Sequence, residues 1–172
     1  MLVSIRRGIY DEILGDTDLL LEQQYPHNIE LLHELRGEGY PTVCATMSHR
    51  PQVERVLSVL GLEDDLDVVA TTDDVECGKP VPEIDLLVAK KLGLPPEEFL
   101  VIEDSRAGVG AGVAAGIVVV AVPTRITSRG VRASNLLEPR WVVEDPEALS
   151  DVVRQRIEEA GGRRDGNTQP ML

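Results

Sequence analysis

The sequence predicts an α/β fold, a parallel sheet with helices on both faces. Three observations carry this. Short aliphatic runs alternate with segments of helical spacing through the middle of the chain, the pattern of consecutive βαβ units. The informative loops, at 46–50, 71–80 and 103–106, each follow an aliphatic run, so they fall on one edge of the sheet and can converge on one pocket. The 172 residues suit one domain, and with 42% hydrophobic but only 3% aromatic residues its core must be aliphatic.

Taken in order, Leu2, Ile5, Ile9 and Ile13 predict a helix over 2–14, interrupted by Gly15-Asp16-Thr17-Asp18. Pro26-His27-Asn28 opens a second helix with Ile29, Leu31, Leu32 and Leu35 on its apolar face, and Gly37 and Gly39 stop it. Thr42 to Ala45 is a strand. Pro51 sits where the next helix begins, Val53, Val56, Leu57 and Leu60 give its face, and Gly61 closes it. Leu66 to Ala70 is a strand, 83–92 a helix ending at Gly93, Phe99 to Ile102 a strand, 106–115 a helix and Ile117 to Val122 a strand. A looser segment with Arg125, Arg129 and Arg132 precedes an edge strand at Trp141–Val143. Asp145-Pro146 opens the last helix, to about Ala160, and the polar, Gly-rich tail 161–172 is expected to be disordered.

A formal net charge of −13 argues against nucleic acid and anionic membranes as partners. Any phosphate site therefore needs local positive charge or a metal. Cys44 and Cys77 form no CxxC pair and no zinc-like cluster; no apolar stretch is long enough to span a bilayer, and no signal peptide is visible. A reducing, cytoplasmic location is the expectation.

Three features fall at the shared edge. Leu100, Val101 and Ile102 lead into adjacent carboxylates, Glu103 and Asp104, which suit Mg²⁺, a cation that takes one or two protein carboxylates plus phosphate oxygens. Thr46 and Ser48 offer hydroxyls and N–H groups before a helix N-terminus, a natural anion site; the bland alternative is that Thr46 only caps that helix. Lys79 stands in a loop stiffened by Pro80 and Pro82, where a fixed ammonium would offset phosphate charge. His27 and His33 read as surface residues. Gly110-Ala111-Gly112-Val113-Ala114-Ala115 matches a dinucleotide-binding fingerprint formally, but the glycines begin too late after the strand, and Gly130 stands where an acid is needed.

Cys44-Ala45-Thr46-Met47-Ser48, Gly78-Lys79-Pro80-Val81-Pro82 and Val101-Ile102-Glu103-Asp104-Ser105-Arg106-Ala107-Gly108-Val109 together resemble the haloacid dehalogenase superfamily, in its branch of β-phosphoglucomutase-like enzymes and small phosphatases. The resemblance spans about 26–145. It implies a three-layer, Rossmann-like core over 26–160, with 1–25 similar to the last helical part of a cap. It implies Mg²⁺-dependent phosphoryl transfer, as phosphatase or phosphomutase, on a small phosphorylated metabolite such as a sugar phosphate. By that resemblance Thr46 is the phosphate-binding hydroxyl and Lys79 the motif lysine, both catalytic and substrate-binding. Glu103 and Asp104 are the metal pair, and Ser48, His49 and Arg50 help hold phosphate. The acidic pair argues for phosphoryl transfer over dehalogenation.

One part of the family pattern is missing from this sequence. The nucleophile is an aspartate in a strand followed by Asp-x-Asp-Gly-Thr. Asp16-Thr17-Asp18 has the Asp-x-Asp spacing, but no strand precedes it and no Gly-Thr follows. The resemblance therefore implies a core lacking its first strand, which in the family lies between the strand ending at Thr46 and the one ending at Asp104. The flanking strands could close up against each other, another polypeptide could supply that strand, or the sequence is truncated and the strand lies upstream of Met1. The competing expectation is a catalytically inactive binding module that keeps phosphate or Mg²⁺ affinity.

Overall fold

The computed structural model describes residues 12–165, and the expected helix over 2–14 lies largely outside them. The chain divides into two compact units, Met1–Glu76 and Cys77–Leu172.

The first unit is helix-rich around one βαβ turn. Residues 12–15 are helical, and Asp16 breaks the chain by capping the next helix, α1 (Thr17–Glu22), through a bond from the Leu19 N–H. Asp16 of the Asp-x-Asp pattern is thus a helix cap, with Asp18 in the first turn. Arg55 donates to Leu14 O at 3.3 Å and Thr17 Oγ1 at 2.7 Å, tying this segment to the long helix below. Helix α2 (Pro26–Gly37) buries Leu31 and leads to β1 (Val43–Ala45). Helix α3 (Arg50–Leu60) returns the chain to β2 (Val68–Ala70). β1 and β2 pair in parallel, Val43 to Val68 and Ala45 to Ala70.

The second unit holds α4 (Glu83–Leu92), β3 (Leu100–Glu103), α5 (Arg106–Ala115) and β4 (Val118–Ala121). β3 and β4 form the other parallel pair, so the described strands make two two-stranded sheets. Val109, Val119, Ala121 and Val131 are the heart of its core. The small residues of α5 allow it to lie flush on the sheet: a Cβ on Gly112 would fall 2.8 Å from Val119 Cγ2 and 2.9 Å from Val101 Cγ1.

Four expectations differ. The segment carrying Arg125, Arg129 and Arg132 contains a helix, α6 (Ser128–Ala133). The expected edge strand Trp141–Val143 is a single parallel bridge from Val142 to Ala121, because Pro139–Trp141 turns as a 3₁₀ helix. Asp145-Pro146 opens a 3₁₀ turn, Pro146–Ala148, before α7 (Leu149–Asp165). That last helix runs through the start of the expected disordered tail; the rest of the tail lies outside the described residues.

Candidate functional site

The first unit holds Thr46 and Ser48 in the loop after β1. The Thr46 N–H donates to Ala70 O at 3.0 Å, so the ladder carries Thr46 to the end of the sheet. Its hydroxyl accepts from the Ser48 N–H at 3.2 Å, a side-chain turn that bends strand toward helix. His49, not Thr46, occupies the N-cap position of α3, so capping does not account for Thr46.

Two acids that the sequence reading passed over organise this loop. Asp73 Oδ1 lies 2.6 Å from His49 Nδ1, and Asp73 Oδ2 accepts the Arg50 N–H at 2.8 Å. The Arg50 guanidinium reaches Asp74 Oδ2 at 2.7 Å, which also accepts from the Thr71 N–H and hydroxyl at 2.8 and 2.9 Å. The Thr72 N–H donates to Ser48 O at 3.2 Å. The loops after β1 and β2 are thus clasped together, and His49 and Arg50 meet carboxylates within the clasp.

The Arg50 N–H, then His49, holds Asp73 below the usual carboxylate range. The Thr71 N–H and hydroxyl, with Arg50, do the same for Asp74. A depressed folded-state value means that the clasp holds above the unfolded carboxylate value, about 3.9, and is lost as pH falls through the lower folded one. The Arg50 and Thr71 amide NMR shifts are expected to titrate with midpoints below about 3.9. Midpoints above it would contradict the clasp.

The second unit holds Lys79, Glu103 and Asp104. The Lys79–Pro80 peptide is cis. Lys79 has its side chain 8% exposed and ion-paired to Glu103, itself 11% exposed, at the end of β3. Burial pushes the Glu103 carboxyl above its ordinary value, and Lys79 opposes that shift. The Glu103 carboxylate lies where a Cβ of Gly108 would be, 1.7 Å from Oε2, so the glycine makes room for it. Asp104 is exposed and has no hydrogen-bond or ion-pair partner among the described residues. Ser105 accepts from the Gly108 N–H at 3.1 Å and caps α5.

The donor chemistry fits Mg²⁺ in one way. Adjacent carboxylates at a strand end, one of them exposed, suit a cation that keeps waters and takes phosphate oxygens. Among the described residues no group of three or more His, Cys, Asp or Glu gathers for a metal, so the share seen is this pair.

A third overlooked acid, Asp85, is 4% exposed in α4, with its Oδ1 4.0 Å from Lys79 Nζ. Its signal in the sequence is a carboxylate one helical turn before the apolar Val88 and Ala89. For the clasp the signal is the run Thr71-Thr72-Asp73-Asp74 directly after a strand. The histidines read as surface residues pair locally, His27 with Glu30 at 3.9 Å and His33 with Asp65 at 3.1 Å.

The family model that matches residues 4–116 is that of the haloacid dehalogenase-like hydrolases. The chain is 36% identical over 118 residues to validoxylamine A 7'-phosphate phosphatase of Streptomyces hygroscopicus subsp. limoneus, covering 66% of this chain and 55% of that protein. It is 33% identical over 114 residues to phosphoglycolate phosphatase of Escherichia coli K12, covering 66% of this chain and 45% of that protein. Among solved structures, CbbY from Rhodobacter sphaeroides in complex with phosphate superposes with a TM-score of 0.63 at 28% identity, over 73% of this chain and 57% of that one. The chain spans about half the length of these curated relatives. Two parallel strand pairs, a lysine held on the acid at a strand end and a match over most of the chain lead to one conclusion: the chain belongs to the haloacid dehalogenase-like hydrolase family.

Proposed function

We propose that this chain carries the phosphate- and metal-binding part of a Mg²⁺-dependent phosphoryl-transfer enzyme, a phosphatase or phosphomutase acting on a small phosphorylated metabolite, with sugar phosphates the first class to test. Thr46 and Ser48 donate to the phosphoryl oxygens, and His49 and Arg50 support them. Lys79 offsets the phosphate charge, and Glu103 with Asp104 would hold Mg²⁺. When bound, the ion supplies charge neutralisation on the phosphoryl oxygens. In this reading 26–160 works as one core and 1–25 is the end of a cap. The single observation that carries it is the buried Lys79–Glu103 pair beside an exposed, unpaired Asp104 at the end of β3.

The attacking aspartate is proposed to come from another polypeptide segment that enters as a strand. The edge of β3 supports this. Phe99 O and Glu103 O accept from Val118 and Val122, so alternate residues of β3 serve the ladder to β4. The backbone groups of Leu100 and Ile102 turn the other way, where no described residue pairs with them. A cytoplasmic setting goes with this reading. Neither described cysteine is in a disulfide, and no described helix is long and apolar enough to cross a membrane.

This chain alone, assayed with a panel of sugar phosphates and Mg²⁺, is expected to show negligible turnover. Fusion of an aliphatic strand ending in Asp-x-Asp-Gly-Thr to its N-terminus is expected to raise turnover at least about 100-fold, the low end of what a positioned general acid/base alone contributes. Robust turnover by the chain alone would contradict the proposal. Phosphate binding with no turnover in the fusion would favour the second reading, a binding module.

A further inference from the structure

Asp85 is a side chain that the proposed chemistry leaves unused and that ordinary packing does not explain. It stands in α4 next to the fully buried Ile84 and one turn before Val88 and Ala89, which are 3% exposed. A carboxyl in such surroundings is costly unless something compensates it. Its Oδ2 is buried with no hydrogen-bond partner, and its Oδ1 lies 4.0 Å from Lys79 Nζ, too far for a hydrogen bond and close enough for an ion pair. Lys79 meanwhile rests on Glu103. One buried ammonium therefore has two carboxylates in reach, one in hydrogen-bond contact and one held back. Burial raises both acids above their ordinary values, so the pocket strains against two negative charges.

We propose that Asp85 is a positioning residue for Lys79, a second anchor that takes the ammonium when Glu103 is drawn away. An ammonium has three donors on a flexible stem and can pass between neighbouring acceptors. A shift of roughly 1 Å toward α4 brings Nζ into hydrogen-bond range of Asp85 Oδ1. The consequence concerns the reading of Lys79 as the phosphate-binding cation, on which this inference rests. Glu103 can turn toward a divalent ion while Asp85 keeps a carboxylate within reach of the ammonium, so Lys79 stays in place for phosphate.

The test is lysine labelling. The chain has lysines only at 79, 90 and 91, so Lys90 and Lys91 are internal controls. In the full chain, reductive methylation followed by mass spectrometry should modify Lys79 at least tenfold more slowly than the controls. Glu103→Gln and Asp85→Asn should each leave that protection within threefold. The double substitution should abolish it, and Asp85→Glu in the Glu103→Gln background should restore it. Loss of protection in Glu103→Gln alone would show a single anchor and overturn the proposal, as would a double variant that stays protected. If the double variant does not fold, Glu103→Ala decides, because glutamine keeps an acceptor oxygen for Lys79 and alanine does not: retained protection supports the second anchor and lost protection overturns it. The labelling uses no phosphate, so its outcome is separate from whether the chain binds phosphate at all.

Discussion

Gly108→Ala is expected to disable the Lys79–Glu103 arrangement of the second unit. The new methyl would lie 1.7 Å from Glu103 Oε2 and 2.1 Å from Cδ, so the carboxylate must leave its position. Leaving means breaking the Lys79–Glu103 pair, in which both side chains are largely buried. Stranding one member of a buried pair costs about 3–5 kcal/mol. Asp85 offers Lys79 another carboxylate, so a loss nearer about 1–3 kcal/mol, the cost of one unsatisfied buried polar group, is expected in urea denaturation. Phosphate affinity in the presence of Mg²⁺ should fall at least tenfold. Unchanged stability and affinity would mean that Glu103 has room that the packing denies.

Trp141→Ala should produce the largest loss of stability. The ring is 1% exposed and is stacked by two guanidinium groups, Arg140 at 4.3 Å and Arg156 at 4.5 Å from its centroid. Arg140 is itself held by Glu138 at 3.0 Å and Glu159 at 2.6 Å, so the ring joins the 139–141 turn to α7. Truncating a buried Trp costs about 3–5 kcal/mol. The indole Nε1 is buried without a hydrogen-bond partner, which predicts a contrast. Trp141→Phe keeps the aromatic face and removes an unsatisfied donor, so it should cost less than about 2 kcal/mol. Chemical denaturation of the two variants checks both values, and equal losses would contradict the stacking account.

Helical spacing and punctuation made most elements legible. Helices 83–92 and 106–115 form as the sequence predicts, because Gly93 and Gly116 end aliphatic faces that have only one way to pack. Val142 and Val143 read as a strand because of composition alone, but Pro139 and the burial of Trp141 wind the chain first, leaving one bridge to Ala121. At the candidate site, Lys79, Glu103 and Asp104 were legible because punctuated loops after strands carry few side chains with other uses. The contact between Lys79 and Glu103 was not, since it depends on the cradle at Gly108. Asp73 and Asp85 were hidden for a different reason. In a chain with 30 acids, the spacing before Val88 and the acidic run after a strand are weak signals, and they gain meaning only when tertiary structure sets these carboxylates against Lys79 and His49.

Isothermal titration of inorganic phosphate into the full chain, with and without Mg²⁺, tests the central claim most directly. Binding that needs Mg²⁺ and weakens at least tenfold in Lys79→Met and in Asp104→Asn is the predicted result. No binding, or binding indifferent to both substitutions, would contradict it.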